Sequence, residues 1–502
     1  MLEKLKQILV DTLTYGASGV MTQVLGFLLM PLYTRCLEAE EFGAIAMMSL
    51  VFQVFLALAS LGFRTAMYKE FFAAKDEDER ARAVGTAILG VGAASVGLLL
   101  LGQLLAPWLL ALVLPGESRA LLVRLELVTA AVSTCEGMLL LVLQAAREVR
   151  TAAAYTTGKA LSFIVMNVAL VAGVRWGVIG YLTAELTNAL VSTAALLYLT
   201  RRFIVWSFVP IAFRRMLRYG LPFMPTRLLN IAMTLLGSFA VTQYLGLDDA
   251  GLFNVASRFA SPISVILSAF SNTWSAYKFK VRAEDPDAPQ FFARVTVYVT
   301  AAIGWLWVGE AAWGPEVLRL LTPAQYHSSA GLVGLIAAGV VPFGVGMMTG
   351  TGYELVEDTR RVPLVSVAGL AVSALAATTL VPRYGAIGAA VATLGANGVM
   401  HAGYWWIGRA AYPIPFRWGA LAGLGAFAVA PVLVCGYAQT AATSARVVLA
   451  ITVSVAYPVA CAAVFRAAGL ATDVRGLSSL WRRMRSGKRG ASVPQADEAE
   501  TR

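Results

Sequence analysis

RWGVIG, residues 175–180, returns almost unchanged as RYGAIG at residues 383–388. Arg175 and Arg383, Gly177 and Gly385, and Gly180 and Gly388 all stand 208 positions apart, and each hexapeptide joins two long apolar runs. A second pair of turns keeps the same offset. LEAEEFGAI at 37–45 aligns with LGLDDAGLF at 245–253, matching Leu37 with Leu245, Glu40 with Asp248, Glu41 with Asp249 and Gly43 with Gly251. One offset recurring at two separated turns marks an internal repeat rather than chance likeness between apolar segments.

The solvent around these runs follows from composition. Of 502 residues 58% are apolar and only 14% charged, with a mean hydropathy of +0.70, whereas a soluble domain carries roughly 25% charged residues. No water-soluble core of this size hides so much apolar surface, so the chain is read as a polytopic membrane protein. Its net charge of +11 would suggest nucleic acid in a soluble protein. Here the basic residues sit in short connections between apolar runs, so no nucleic-acid partner is expected. Cys36, Cys135, Cys435 and Cys461 form no CxxC pair, and His327 and His401 lie far apart. Neither a metal site nor a cofactor is expected from them.

About 20 apolar residues cross the hydrocarbon core. That criterion predicts an all-α integral membrane protein of about fourteen spans. They fall near 10–32, 42–68, 84–113, 121–146, 152–174, 177–200, 218–245, 250–277, 291–313, 328–356, 362–381, 385–408, 417–438 and 446–466. The first run is too long for a signal-peptide core and is read as a retained span. With a cytoplasmic N-terminus, Lys69, Lys75, Arg80, Arg82, Arg147, Arg150, Arg201, Arg202, Arg214, Arg215, Arg218 and the basic tail all lie inside. Only Arg35, Arg119, Arg124, Arg175, Arg319, Arg383 and Arg446 lie outside. This asymmetry obeys the positive-inside rule and puts the C-terminus in the cytoplasm as well.

The repeat acquires a geometric meaning on this map. Six spans per copy is an even number, so the two halves are parallel repeats about an axis along the membrane normal, an arrangement found among transporters. The expected organisation is an N-terminal lobe over 1–206, a C-terminal lobe over 207–412 and two appended spans over 413–466. A basic, polar tail over 467–502 is expected to be disordered. The lobes would enclose a central cavity. The glycines of the hexapeptides read as structural: the first permits a tight reversal and the second allows close helix packing. Helix-buried asparagines such as Asn167, Asn254 and Asn397 read as glue between helices.

Ionisable residues inside a membrane are costly unless they face a cavity or a partner. Arg227 lies nine residues into the seventh span, roughly 13 Å deep at 1.5 Å per residue, and Arg258 lies eight residues into the eighth. Arg64 and Lys159, nearer the membrane surface, complete a set of four cavity cations, with snorkelling as the alternative for these two. Glu136 and Glu185 are the acidic candidates for pairing or for ion coupling. Such a cationic chamber suits a lipid whose head group is a phosphate or pyrophosphate, which arginine grips by paired hydrogen bonds.

The residues also resemble a known family. LGFLLMPLYTRCLEAEEFGAIAMM (25–48), LGFRTAMYKEFF (61–72), LGLDDAGLFNVASRFASPISVILSAFSNTWSAYKFK (245–280) and LVPRYGAIGAAVATL (380–394) are similar to the bacterial polysaccharide transporter family. That family comprises lipid-linked oligosaccharide flippases of the multidrug/oligosaccharidyl-lipid/polysaccharide exporter superfamily. The resemblance implies two six-helix lobes around a cavity that opens alternately inward and outward. It also implies an undecaprenyl-pyrophosphate-linked sugar as cargo, carried across the bacterial inner membrane for surface polysaccharide such as O-antigen or exopolysaccharide. A polymerase and glycosyltransferases would be partners. Arg258, in ASRFASP, occupies the basic position of the family's eighth-helix pattern, whereas Arg227 rests on depth alone. The chain is therefore expected to be a flippase and not an enzyme. The alternatives are a multidrug/cation antiporter of the same superfamily, which the cationic cavity disfavours, and a membrane glycosyltransferase or polymerase, which the short outer loops disfavour.

Overall fold

Among the described residues the apolar runs fold as helices. The computed structural model describes residues 27, 29–114, 120–356 and 361–470, so most of the first predicted span and nearly all of the tail lie outside the described residues. In chain order the helices are α1 (Met30–Cys36), α2 (Ala39–Ala59), α3 (Phe63–Ala73), α4 (Glu77–Val113), α5 (Leu121–Ala145), α6 (Val149–Asn167) and α7 (Gly177–Thr200). The second half holds α8 (Pro210–Gly220), α9 (Met224–Leu245), α10 (Leu247–Phe259), α11 (Pro262–Glu284) and α12 (Ala288–Leu321). These are followed by α13 (Val333–Ala338), α14 (Val341–Thr349), α15 (Thr351–Val356), α16 (Val362–Tyr384) and α17 (Ala386–Ala411). The last two are α18 (Trp418–Tyr437) and α19 (Thr443–Ala467). No strand forms among the described residues.

Ten of these helical segments are long and apolar enough to cross a membrane, or up to twelve if each of two bent pairs counts as one span. That falls short of the fourteen predicted. The first predicted span lies mostly outside the described residues, and α17, which matches the twelfth, is not among those counted. Asn397, His401 and its glycines dilute the hydropathy of α17.

Several spans are broken where the sequence carries breakers. Ser60–Gly62 interrupts the second span, with Gly62 at φ +69° in the left-handed region that glycine tolerates. The eighth bends by 50° between α10 and α11, ahead of Pro262. The glycine-rich tenth divides into α13, α14 and α15. The repeated hexapeptides are turns of one design. Gly177 and Gly385 both take positive φ, +57° and +60°. A Cβ on Gly180 would lie 3.0 Å from the Leu170 carbonyl oxygen, and one on Gly388 would lie 2.4 Å from that of Leu380. Each second glycine thus lets its helix lie against the backbone of the one before. Glu41 ties the first of these turns to the start of α2. Its carboxylate accepts from the Glu38 amide at 3.1 Å and from the Val178 amide at 3.2 Å, satisfying otherwise unpaired donors at two helix starts.

The two halves meet where α2 crosses α10, and the contact is reciprocal. A Cβ on Gly43 would stand 2.2 Å from the carbonyl oxygen of Leu247, and a Cβ on Gly251 would stand 1.8 Å from that of Ala39. Ala39 and Leu247, like Gly43 and Gly251, are 208 apart. The two contacts are therefore one contact seen from either side of a pseudo-twofold axis. Small residues let backbones approach this closely in lipid, where dispersion and packing drive helix association. The Tyr326 hydroxyl, donating to the Leu37 carbonyl at 2.7 Å, adds a polar bond at the same end. Helices α18 and α19 pack on α12, clamped by Glu316, which pairs with Arg319 at 2.8 Å and Arg446 at 2.7 Å.

Candidate functional site

Arg64 opens α3 directly after the Ser60–Gly62 break, and Arg227 sits in the first turn of α9. Both side chains are exposed and lie within charge–charge range of each other, so residues 163 positions apart in the two halves form one cationic patch. The helical run that carries Arg227 begins at Pro210, earlier than predicted, and passes through a 3-10 turn at Leu221–Phe223. Arg258 is exposed in the last turn of α10, immediately before the 50° bend. It lies within charge–charge range of Glu185 and Tyr33 in the first half.

Lys159 has a different setting from these three arginines. Its ammonium pairs with Glu136 Oε1 at 2.5 Å, and the Tyr155 hydroxyl donates to the same oxygen at 2.6 Å. Glu136 and Lys159 are therefore partners on α5 and α6, not a separate acid and base. They line a cavity of about 330 Å³ with Tyr155, Ser133, Glu185 and Asn188. Ser162 donates to the Asn188 side chain there. Glu185, on α7, is the member of this cavity that interacts with charges on both sides, Lys159 and Arg258.

Sequence reasoning missed Glu126. It stands close to Arg124 near the start of its span and reads as a surface residue, yet it is 1% exposed and interacts with Glu185. The available signal was Ser133, seven residues and two helical turns onward, which shares its helix face and lines the cavity. Among the described residues, Glu126 Oε2, Glu136 Oε2 and the Tyr33 hydroxyl have no hydrogen-bond partner. Buried polar atoms left unpaired are costly, and of these two carboxylates Glu136 borders the cavity of the first half. The asparagines behave as helix glue in two cases. Asn397 donates to the Gly339 carbonyl at 2.8 Å, and Asn254 accepts from Ser238 at 3.2 Å. Asn167 bonds within its own helix, to Phe163 at 2.8 Å. Among the described residues, no group of three His, Cys, Asp or Glu side chains is placed to hold a metal ion.

Arg64 and Arg227 thus stand together from the two halves, and Arg258 lies within charge–charge range of the buried Glu185. The family model described as polysaccharide biosynthesis protein matches residues 8–274, more than half of the chain. The chain belongs to the polysaccharide biosynthesis protein family. No curated protein matches it in sequence. Its fold is similar to that of the lipid II flippase MurJ in an inward closed conformation, at 13% identity and a TM-score of 0.71 over 90% of this chain and 98% of that one. It is also similar to an inward-facing multidrug resistance MATE family transporter of the MOP superfamily, at 16% identity and a TM-score of 0.62 over 80% and 95% of the two chains. A MOP superfamily transporter from Pyrococcus furiosus, whose binding pocket has reversed polarity, matches at 16% identity and a TM-score of 0.60 over 83% and 96%. This member of the polysaccharide biosynthesis protein family therefore has the MOP-superfamily transporter fold.

Proposed function

We propose that the chain is a flippase. It moves an undecaprenyl-pyrophosphate-linked oligosaccharide from the inner to the outer leaflet of the bacterial inner membrane by alternating access, with both termini cytoplasmic. The observation that carries this reading is the placement of Arg64, Arg227 and Arg258 on both halves, all exposed. Guanidinium groups bind phosphate oxygens by paired, charge-assisted hydrogen bonds, and groups contributed by two moving lobes change their spacing as the lobes rock. Family membership and the MurJ-like fold support the same cargo class. Lys159, engaged by Glu136, is assigned to holding α5 and α6 together rather than to gripping the head group. Three exposed arginines repel a cationic drug, so antiport of cations is the weaker reading. A polymerase and glycosyltransferases would supply and consume the cargo.

Glu185, joined by Glu126, is the proposed ion-coupling site, since it answers both to Lys159 and, across the seam, to Arg258. The test is surface polysaccharide in cells carrying Arg64→Ala, Arg227→Ala or Arg258→Ala. The expected result is loss of polymer, with the protein still in the membrane and lipid-linked sugar accumulating in the inner leaflet. Normal polymer in all three variants overturns the head-group assignment. Transport in vesicles that survives collapse of every ion gradient removes the coupling role of Glu185 and Glu126.

A further inference from the structure

The sequence PIAFRRMLRYG, helix α8, carries three arginines and no acidic residue, and its two faces have separate tasks. Ala212, Met216 and Gly220 are buried. Gly220 meets the backbone of Gly62 so closely that a Cβ would stand 2.8 Å from its carbonyl oxygen. Phe213 packs on Phe63 with ring centroids 5.5 Å apart, and Arg215 pairs with Glu70 at 2.7 Å. This face holds α8 against the end of α3.

The opposite face is unused by that packing. Ile211 is 72% exposed, and Arg214 and Arg218, three and seven residues further on, lie exposed on the same side. Among the described residues neither arginine has a carboxylate partner. The approach to the helix adds exposed Trp206 and Phe208. Arginines flanked by aromatic and aliphatic side chains on an amphipathic helix are the pattern of a segment lying in a membrane interface, its apolar groups in the acyl boundary and its charges at the head groups.

We propose that this face of α8 binds the anionic phospholipid head groups of the leaflet against which it lies. The site is distinct from the cavity between the halves and does not depend on what the cavity carries. It bears on transport because α8, which opens the second half, is pinned to α3 in the first half and so forms a connection between the two, and the first turn of α3 holds Arg64. A head group held by Arg214 and Arg218 anchors that connection to the membrane while the halves move.

The experiment titrates phosphatidylglycerol, with phosphatidylcholine as the uncharged-head-group counterpart, into the purified full chain in detergent, reading bound lipid by native mass spectrometry. Each basic residue near an anionic surface contributes about fivefold in affinity, so the R214Q/R218Q double variant should lose about thirtyfold for phosphatidylglycerol. The R214K/R218K variant, which keeps the charge, should bind nearly as the parent does. The R175Q/R383Q variant, altered at exposed arginines of the outer turns, should be unchanged. The proposal is overturned if R214Q/R218Q retains parental affinity, if R175Q/R383Q loses as much, or if the parent binds phosphatidylcholine equally well.

Discussion

The reciprocal seam between α2 and α10 makes a quantitative prediction. In Gly43→Ala the new methyl would stand 2.2 Å from the Leu247 carbonyl oxygen, and in Gly251→Ala it would stand 1.8 Å from that of Ala39. Real Cβ atoms essentially never approach below 3.0 Å, so each variant must push the helices apart by about 1 Å. The obstacle in both cases is backbone, which no rotamer change relieves. Overpacking of this kind costs about 1–3 kcal/mol. Applied to the closed seam alone, that shifts the balance between closed and separated seams by about 5- to 150-fold. Cys36 is a built-in reporter, since it ends α1 three residues before Ala39 and is half-buried. Its labelling rate by a membrane-impermeant maleimide should rise several-fold in each variant, with Cys36→Ser as the blank. Because one seam is being opened from either side, the two substitutions should have similar effects. The double variant should cost less than the sum, since helices already separated for one methyl have room for the other. Unchanged labelling in both variants, or a large effect in one and none in the other, refutes the pseudo-twofold reasoning.

Two further outcomes follow from contacts within each half. Lys159→Met leaves the buried Glu136 carboxylate without its half-exposed ammonium partner and should destabilise the protein by about 1–3 kcal/mol, the cost of leaving a buried acceptor short of a partner. The double variant Glu136→Gln/Lys159→Met should recover most of that loss in thermal unfolding, and equal melting of both would remove the pair from the account. In the second half, a Cβ on Gly346 would fall 2.1 Å from the ring of His401, which is 8% exposed and packed against Phe343 and Tyr404. Gly346→Ala should therefore lower the melting temperature and His401→Ala should rescue it. A Gly346→Ala protein as stable as the parent would show that the ring moves freely.

What the sequence displayed best was periodic and local. The apolar runs located the helices, and the glycine-rich 341–354 stretch lies in a segment that divides into short helices. The 208-residue offset pointed to a seam that proves reciprocal at the level of single atoms. Partners on different helices were far less legible. The pairing of Lys159 with Glu136 in particular is not legible, because the two stand 23 residues apart on successive helices, a distance at which sequence spacing has no geometric meaning. Glu126 was overlooked because hydropathy ranks a residue by its distance from a span's end and not by what packs over it. The span count fell short where polar and small residues inside α17 dilute the apolar signal, a cost borne where helices pack on protein rather than on lipid.

A seam in which residue 43 meets 247 while 251 meets 39 is the kind of contact that two identical molecules make across a twofold axis. Here both faces lie on one chain, 208 residues apart. The same relative position holds Glu41 in one copy and Asp249 in the other, while both copies place a glycine at the axis. Separate subunits stay paired only as far as their concentration allows. Two faces carried by one chain remain at each other's side at any dilution, so this seam needs no second copy of the molecule to form.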